Sequence, residues 1–241
     1  MTRVQRWPHA LLALALLAGC NREQQRAEQA AAQAAATEAA AQQGEAAFKQ
    51  AVDQRNWTLA KAQADVLMAQ YPTSQAAQRV RAQYDDIRGK ADAAHEQSRL
   101  AGLWNYNRVA VDGGTQQSAA IDAKDDVDVD GSGARPVQLI FRDHPSWGRS
   151  AYLVLQAGDF NCYGGCRVKV TVDDKAAKSM AASRPKTDEA IAMFIEDERA
   201  LWRMTRDAGR LSIEFPVKAG GTRTAVFEVG GLDRGQMPGW D

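Results

Sequence analysis

Nothing in this sequence of 241 residues approaches the ~20 consecutive apolar residues that a membrane-spanning helix requires. Neither charge sign dominates: Lys+Arg and Asp+Glu both number 30, so no whole-protein field draws the chain to nucleic acid or to anionic lipid. Histidine is scarce, with only His9, His95 and His144, and no His-x-x-x-His spacing offers a zinc site. No Gly-x-Ser-x-Gly element or Ser/Lys pairing supports hydrolysis. Cysteine is equally sparse. Cys20 stands alone near the start, and Cys162 and Cys166 form a close pair. These absences predict no catalytic, cofactor-binding or metal-ligating residues, and a chain that is not an enzyme.

What the sequence does have begins at its N-terminus. Arg3 and Arg6 form a basic head, Ala10 to Ala18 an apolar run, and small residues lead to Cys20. That order describes a secretory signal over residues 1–19. Leu17-Ala18-Gly19-Cys20 resembles the bacterial lipobox. The resemblance implies that the Cys20 thiol receives a diacylglyceryl group, that the chain is cut just before it, and that the new amine is acylated with a fatty acid such as palmitate. Each buried methylene contributes about 0.8 kcal/mol, so two or three chains anchor stably where one does not. Asn21 is not the aspartate that retains lipoproteins at the inner membrane of enteric bacteria. The resemblance therefore implies the periplasmic face of the outer membrane. An exported chain meets an oxidising compartment, which suits a disulfide between Cys162 and Cys166.

Residues 20–43 are a low-complexity tract of Ala, Gln and Glu. These residues favour helix, but nothing larger than alanine is available to bury, so a helical or partly frayed stalk is expected, roughly 35 Å long if fully helical, with a disordered linker as the alternative. From Gly44 the pattern changes. Phe48, Ala51 and Val52 lie at helical spacing before a break at Gln54-Arg55-Asn56. A second run, Trp57, Ala60, Ala64, Leu67 and Met68, ends at Tyr71-Pro72, with Thr73 or Ser74 suited to cap the next helix. Val80, Tyr84, Ile87, Ala91 and Ala94 then read as one face of a third helix. Phe48, Ala51, Ala60, Leu67 and Pro72 resemble the tetratricopeptide unit of envelope lipoproteins, in which a helical hairpin ends in Tyr-Pro-x-Ser. The resemblance covers residues 44 to about 78, and the helical, tetratricopeptide-like region expected spans residues 44–100.

After Arg99 the period shortens towards 2. Leu103 to Val109 alternates; Val127 and Val129 lead through Asp130-Gly131-Ser132-Gly133 to Val137–Phe141, which predicts a hairpin. Further strands are expected at Ala151–Gln156, Arg167–Val172, Leu211–Val217 and Thr222–Val229, the last two joined at Ala219-Gly220-Gly221. Asp197–Ala208 reads as a helix ended by Gly209. The fold class predicted is α+β: a helical stalk and hairpin, then an antiparallel β-sandwich-like domain over 101–234 with one covering helix, and a tail over 235–241. Gly158-Asp159-Phe160-Asn161-Cys162, then Cys166, Val168-Lys169-Val170, Met193-Phe194-Ile195 and Gly230-Gly231-Leu232 are similar to a family of proteobacterial envelope proteins. The type VI secretion accessory proteins called VasI look like distant relatives. That resemblance implies structure and assigns no reaction.

Three local patterns bear on chemistry. Asp126, Asp128, Asp130 and Gly131 match the first half of a calcium loop, but Val137 stands where the pattern needs a glutamate, so an acidic strand end running into a turn is expected. Cys162-Tyr163-Gly164-Gly165-Cys166 lacks the two-residue spacing of redox centres, so a structural disulfide across a hairpin is expected, contributing about 2 kcal/mol. The cluster Arg142, His144, Trp147 and Arg149 has the composition of a partner-binding loop, and its Pro145 and Gly148 also suit a plain turn. These readings predict a non-enzymatic, lipid-anchored interaction scaffold with an envelope protein as partner. A periplasmic enzyme, or a module binding a small molecule or glycan, is the alternative.

Overall fold

The structure is a computed structural model that describes residues 12–186 and 191–241, with the backbone alone for 12–21. The basic head of the expected signal lies outside the described residues; Cys20 falls on a helical stretch of backbone. No helix among the described residues is long and apolar enough to cross a membrane. The chain divides into two compact units, Met1–His95 and Glu96–Asp241, so the architecture is helices followed by a β-rich unit.

In the first unit, α1 (Leu12–Asp53), α2 (Trp57–Gln70), α3 (Gln75–Arg81) and the start of α4 (Tyr84–Ala101) share a core of few large side chains. Phe48, Leu67, Val80 and Ile87 are set among Ala41, Ala51, Ala60, Ala64, Ala76 and Ala77. Small residues let the helices approach closely. A Cβ at Gly44 would sit 3.0 Å from Leu67 Cδ1, so α2 packs closely on α1 at this glycine. At the expected break Arg55 adopts φ +54° and Asn56 Oδ1 accepts from Leu59 N at 3.1 Å; Ser74 is the cap that the sequence offered, its Oγ accepting from Ala77 N at 3.0 Å.

Two expectations need correction here. The exposed part of the stalk ends at Thr37, not residue 43. Ala41 is fully buried with Ala76 and Ala77, and the Glu38 carboxylate accepts from the amides of Gln75 and Ala76 at 2.9 and 3.1 Å. Close alanine packing and a carboxylate on free helix amides dock this stretch without any large apolar residue. The third helical run is likewise two helices, parted at Ala82-Gln83. Neither proline nor glycine marks that turn, and the 3.6-residue period runs unbroken across it.

In the second unit nine strands form one antiparallel sheet in the order β1-β2-β3-β4-β7-β6-β5-β8-β9. They are β1 (Trp104–Val111), β2 (Gly114–Asp122), β3 (Val137–His144), β4 (Gly148–Leu155), β5 (Cys166–Val172), β6 (Lys178–Ser183), β7 (Ala192–Ile195), β8 (Leu211–Pro216) and β9 (Thr222–Phe227). Alternate residues, such as Val137, Leu139 and Phe141 or Leu211, Ile213 and Phe215, point inward, as a period of 2 requires. Because every strand contributes to one core cluster, the sheet wraps around a single interior. Lys124 N donates to Val226 O at 2.7 Å, and Arg223 Nε to Asp128 O at 2.6 Å, tying the chain after β2 to β9.

The expected hairpin between Val127–Val129 and β3 is not formed. β3 pairs instead with β2, Ala119 opposite Phe141 and Ile121 opposite Leu139, while Val127 makes an isolated bridge to Arg135. β2 and β6 are rich in Gly, Ser, Ala and Gln, which carry little strand propensity, so the sequence did not announce them. The late helix, α5, is shorter than expected, Glu198–Met204. Asp197 caps its start, Thr205 Oγ1 donates back to Trp202 O at 2.7 Å, and Asp207 then takes φ +60°. Residues 235–241 are not a tail: Met237 and Trp240 belong to the core. Trp202 of α5 and Trp240 both meet Phe141 edge-on, with ring centroids 5.0 and 5.4 Å apart. Such pairs contribute about 0.5–1.5 kcal/mol beyond area burial, which is why an aromatic this close to the end is held.

Candidate functional site

The tip of the β3–β4 hairpin is built from the cluster Arg142 to Arg149. Strand register puts Phe141 and Asp143 on the inner side and Arg142 on the outer side of β3. At the turn, His144 is 7% exposed and its Nδ1 accepts from Ser146 N at 3.1 Å. The imidazole stacks on Trp147 with centroids 3.9 Å apart and planes within 15°. Trp147 itself is 71% exposed. The Arg142 guanidinium lies 5.4 Å from the Trp147 ring and 5.2 Å from the Tyr152 ring, between two π faces. Ser146 Oγ donates to Asp112 O at 3.4 Å, so the β1–β2 turn braces the tip.

The outer face continues the row. Ile140 stands opposite Tyr152, and Tyr152 opposite Phe194 of β7, whose rings lie 5.1 Å apart. Such cross-strand neighbours stabilise the sheet that presents them. Burial pushes the Tyr152 hydroxyl pKa up, so the phenol is neutral throughout the physiological range. The composite surface is therefore aromatic and carries the charge of Arg142. It suits stacking against planar or apolar groups. No nucleophile there is paired with a base.

Of the four residues expected to meet a partner, Arg142, His144 and Trp147 come together. Arg149 does not join them. It lies opposite Asp143 in the ladder, its Nε 3.6 Å from Asp143 Oδ2. Tyr152 and Phe194 complete the surface; the sequence placed Tyr152 on an expected strand and Phe194 only in the stretch before the late helix. Sheet order makes them neighbours.

The other patterns have structural roles. Asp128 Oδ1 accepts from Gly131 N at 2.7 Å and Asp130 Oδ1 from Ser132 N at 2.9 Å, so both carboxylates cap a turn. Cys162 and Cys166 are joined by a disulfide, with Cα atoms 4.9 Å apart. It closes the loop leading into β5 and does not bridge two paired strands, because Cys162 precedes the ladder. Cys20 lies within α1.

No protein-family model matches the chain, and no curated protein matches its sequence. Among solved structures, it is similar to the crystal structure of invasion associated protein B from Bartonella henselae. That likeness has 14% identity and a TM-score of 0.37, and covers 54% of this chain and 85% of the other.

Proposed function

We propose that the protein is a lipid-anchored envelope protein acting as a non-enzymatic interaction scaffold in the periplasm, held at the outer membrane through Cys20. In this reading the exposed stretch Arg22–Thr37 of α1 supplies about 24 Å of reach. The β-rich unit supplies a rigid platform for one partner protein. The observation that carries the proposal is Trp147, largely exposed yet fixed by stacking on a buried histidine. An aromatic ordered before binding loses little conformational entropy when a partner covers it, and such residues dominate interface energetics.

The test uses the full chain in its own envelope. A photo-crosslinking residue at Ser146 should trap one envelope protein as an adduct of defined mass. Trp147→Ala should weaken that association by roughly 30-fold, the effect of losing about 2 kcal/mol at a hot spot. Cys20→Ser should move the protein from the membrane to the soluble fraction. No adduct at Ser146, or a Trp147→Ala chain that associates as before, overturns the reading of this surface; a Cys20→Ser chain still in the membrane overturns the anchor.

A further inference from the structure

Away from the aromatic face, arginines gather beside α5. Arg199 and Arg203 are exposed and one helical turn apart, and Arg206 follows just past the helix end. With Arg149 of β4, Trp240 and Asp241 they line a cavity of about 160 Å³. A second hollow of about 280 Å³ shares Arg149 and Arg199 and adds Asp143, Gly148 and Glu198.

The charges there do not balance. Counting Arg234, which binds Asp241, five guanidiniums stand beside three side-chain carboxylates, those of Asp143, Glu198 and Asp241. This local excess arises in a chain whose overall charge is zero. Asp241 is already engaged: Arg234 Nε donates to its oxygens at 2.9 and 3.0 Å, Trp202 Nε1 at 3.1 Å and Arg206 Nη2 at 3.3 Å. Arg149 faces Asp143. Arg199 and Arg203 have no acceptor among the described residues. The Trp240 Nε1–H, on the cavity wall, is also buried without one.

We infer that this cavity binds a phosphate group, carried by a small molecule or by a lipid headgroup. Guanidinium forks arrive from β4, from α5 and from the segment after α5, so they approach an oxyanion from several sides. A tetrahedral dianion can accept two N–H groups from each of several arginines, where one carboxylate satisfies a single fork. The nearby Asp241, held by two arginines and an indole, shows that this region already satisfies an oxyanion. The small volume admits one such group and not an extended polyanion. Neither the cavity nor its charge depends on the Trp147 surface.

Calorimetric titration of the full chain with inorganic phosphate and with glycerol 3-phosphate, at low ionic strength, tests it. One site is expected, weakening as salt rises. The Arg199→Ala/Arg203→Ala double variant should bind at least 10-fold more weakly while its thermal unfolding is unchanged, since both side chains are exposed. Arg88→Ala, an exposed arginine on α4, should bind as the parent does. Flotation of the Cys20→Ser chain with phosphatidylglycerol or phosphatidylcholine vesicles separates the two sources. Flotation only with the anionic vesicles, lost in the double variant, assigns the site to lipid headgroups; soluble phosphates binding without flotation assign it to a small molecule. Binding to none of these probes, or binding that the double variant leaves intact, overturns the inference.

Discussion

Asp159 and Arg184 form an ion pair 2.9 Å apart in which the two side chains are only 9% and 5% exposed. Lys218 approaches the same carboxylate at 3.5 Å from solvent. Burying two charges costs several kcal/mol per ion, so the pair is tolerated because each compensates the other. Removing Arg184 leaves the buried Asp159 carboxylate with Lys218, 3.5 Å away at the exposed rim, as its cationic neighbour. Arg184→Ala is therefore expected to lower the unfolding free energy by about 3–5 kcal/mol. Lys218→Ala, at the exposed rim, should cost less than about 1 kcal/mol. Urea unfolding of the two variants checks the ranking, and equal small losses would show that the pair is not isolated from water.

The helical unit carries a pH dependence in Glu45, a buried carboxylate on α1 that binds Arg79 and Lys49. Hydrogen bonds from Arg79, then from Lys49, hold its pKa down from 4.5 to about 2, against burial, which pushes it up. A carboxylate depressed in the folded state contributes stability that is complete above its unfolded pKa and disappears as pH falls through the folded value. The contribution should thus be present at neutral pH and be lost between about pH 5 and 2. Asp65, lowered by hydrogen bonds from Lys61 and Tyr84, adds in the same direction. Glu45→Gln should cost about 1 kcal/mol at pH 7, because Arg79 is half exposed and regains water, and should flatten the acid limb of the melting curve. An acid limb as steep as the parent's would assign that limb to other groups.

Local physics made part of the fold legible in the sequence, and the hidden part depended on distant contacts. Phe48, Leu67 and Ile87 declared themselves by period and size, and Ser74 by capping chemistry; Asn56 showed only as a break. Ala41 carried no such signal, because alanine packs by shape and has no size to advertise. β2 pairs with β3 through Ala119 and Ile121, but Ile121 is the one large apolar residue in a strand of Gly, Thr, Gln, Ser and Ala, so no alternation stood out. The Arg142–Trp147 cluster stood out by composition, whereas Tyr152 and Phe194 joined it only through the order β3-β4-β7. Trp240 read as part of a tail because its partners, Phe141 and Trp202, lie 99 and 38 positions earlier in the chain.

Gly231 offers the sharpest test of close packing in the β-rich unit. A Cβ built there would fall 2.1 Å from the Leu100 carbonyl carbon and 2.3 Å from Ala101 N, both backbone atoms. No side-chain rotation relieves such an overlap, so the 3-10 turn Val229–Gly231 must move off the end of α4. That turn also carries Val229, which is fully buried, so the displacement would loosen the core. Gly231→Ala is expected to cost at least 3 kcal/mol, about the upper end for overpacking, since backbone and not a side chain must yield. Gly89 is the internal control. It lies inside α4 with nothing within 4 Å of an added methyl group, so Gly89→Ala should stabilise by about 0.5–1 kcal/mol through helix propensity. Denaturant midpoints that shift in opposite directions would meet the expectation. A Gly231→Ala protein as stable as the parent would mean that the turn is free to move away from Leu100.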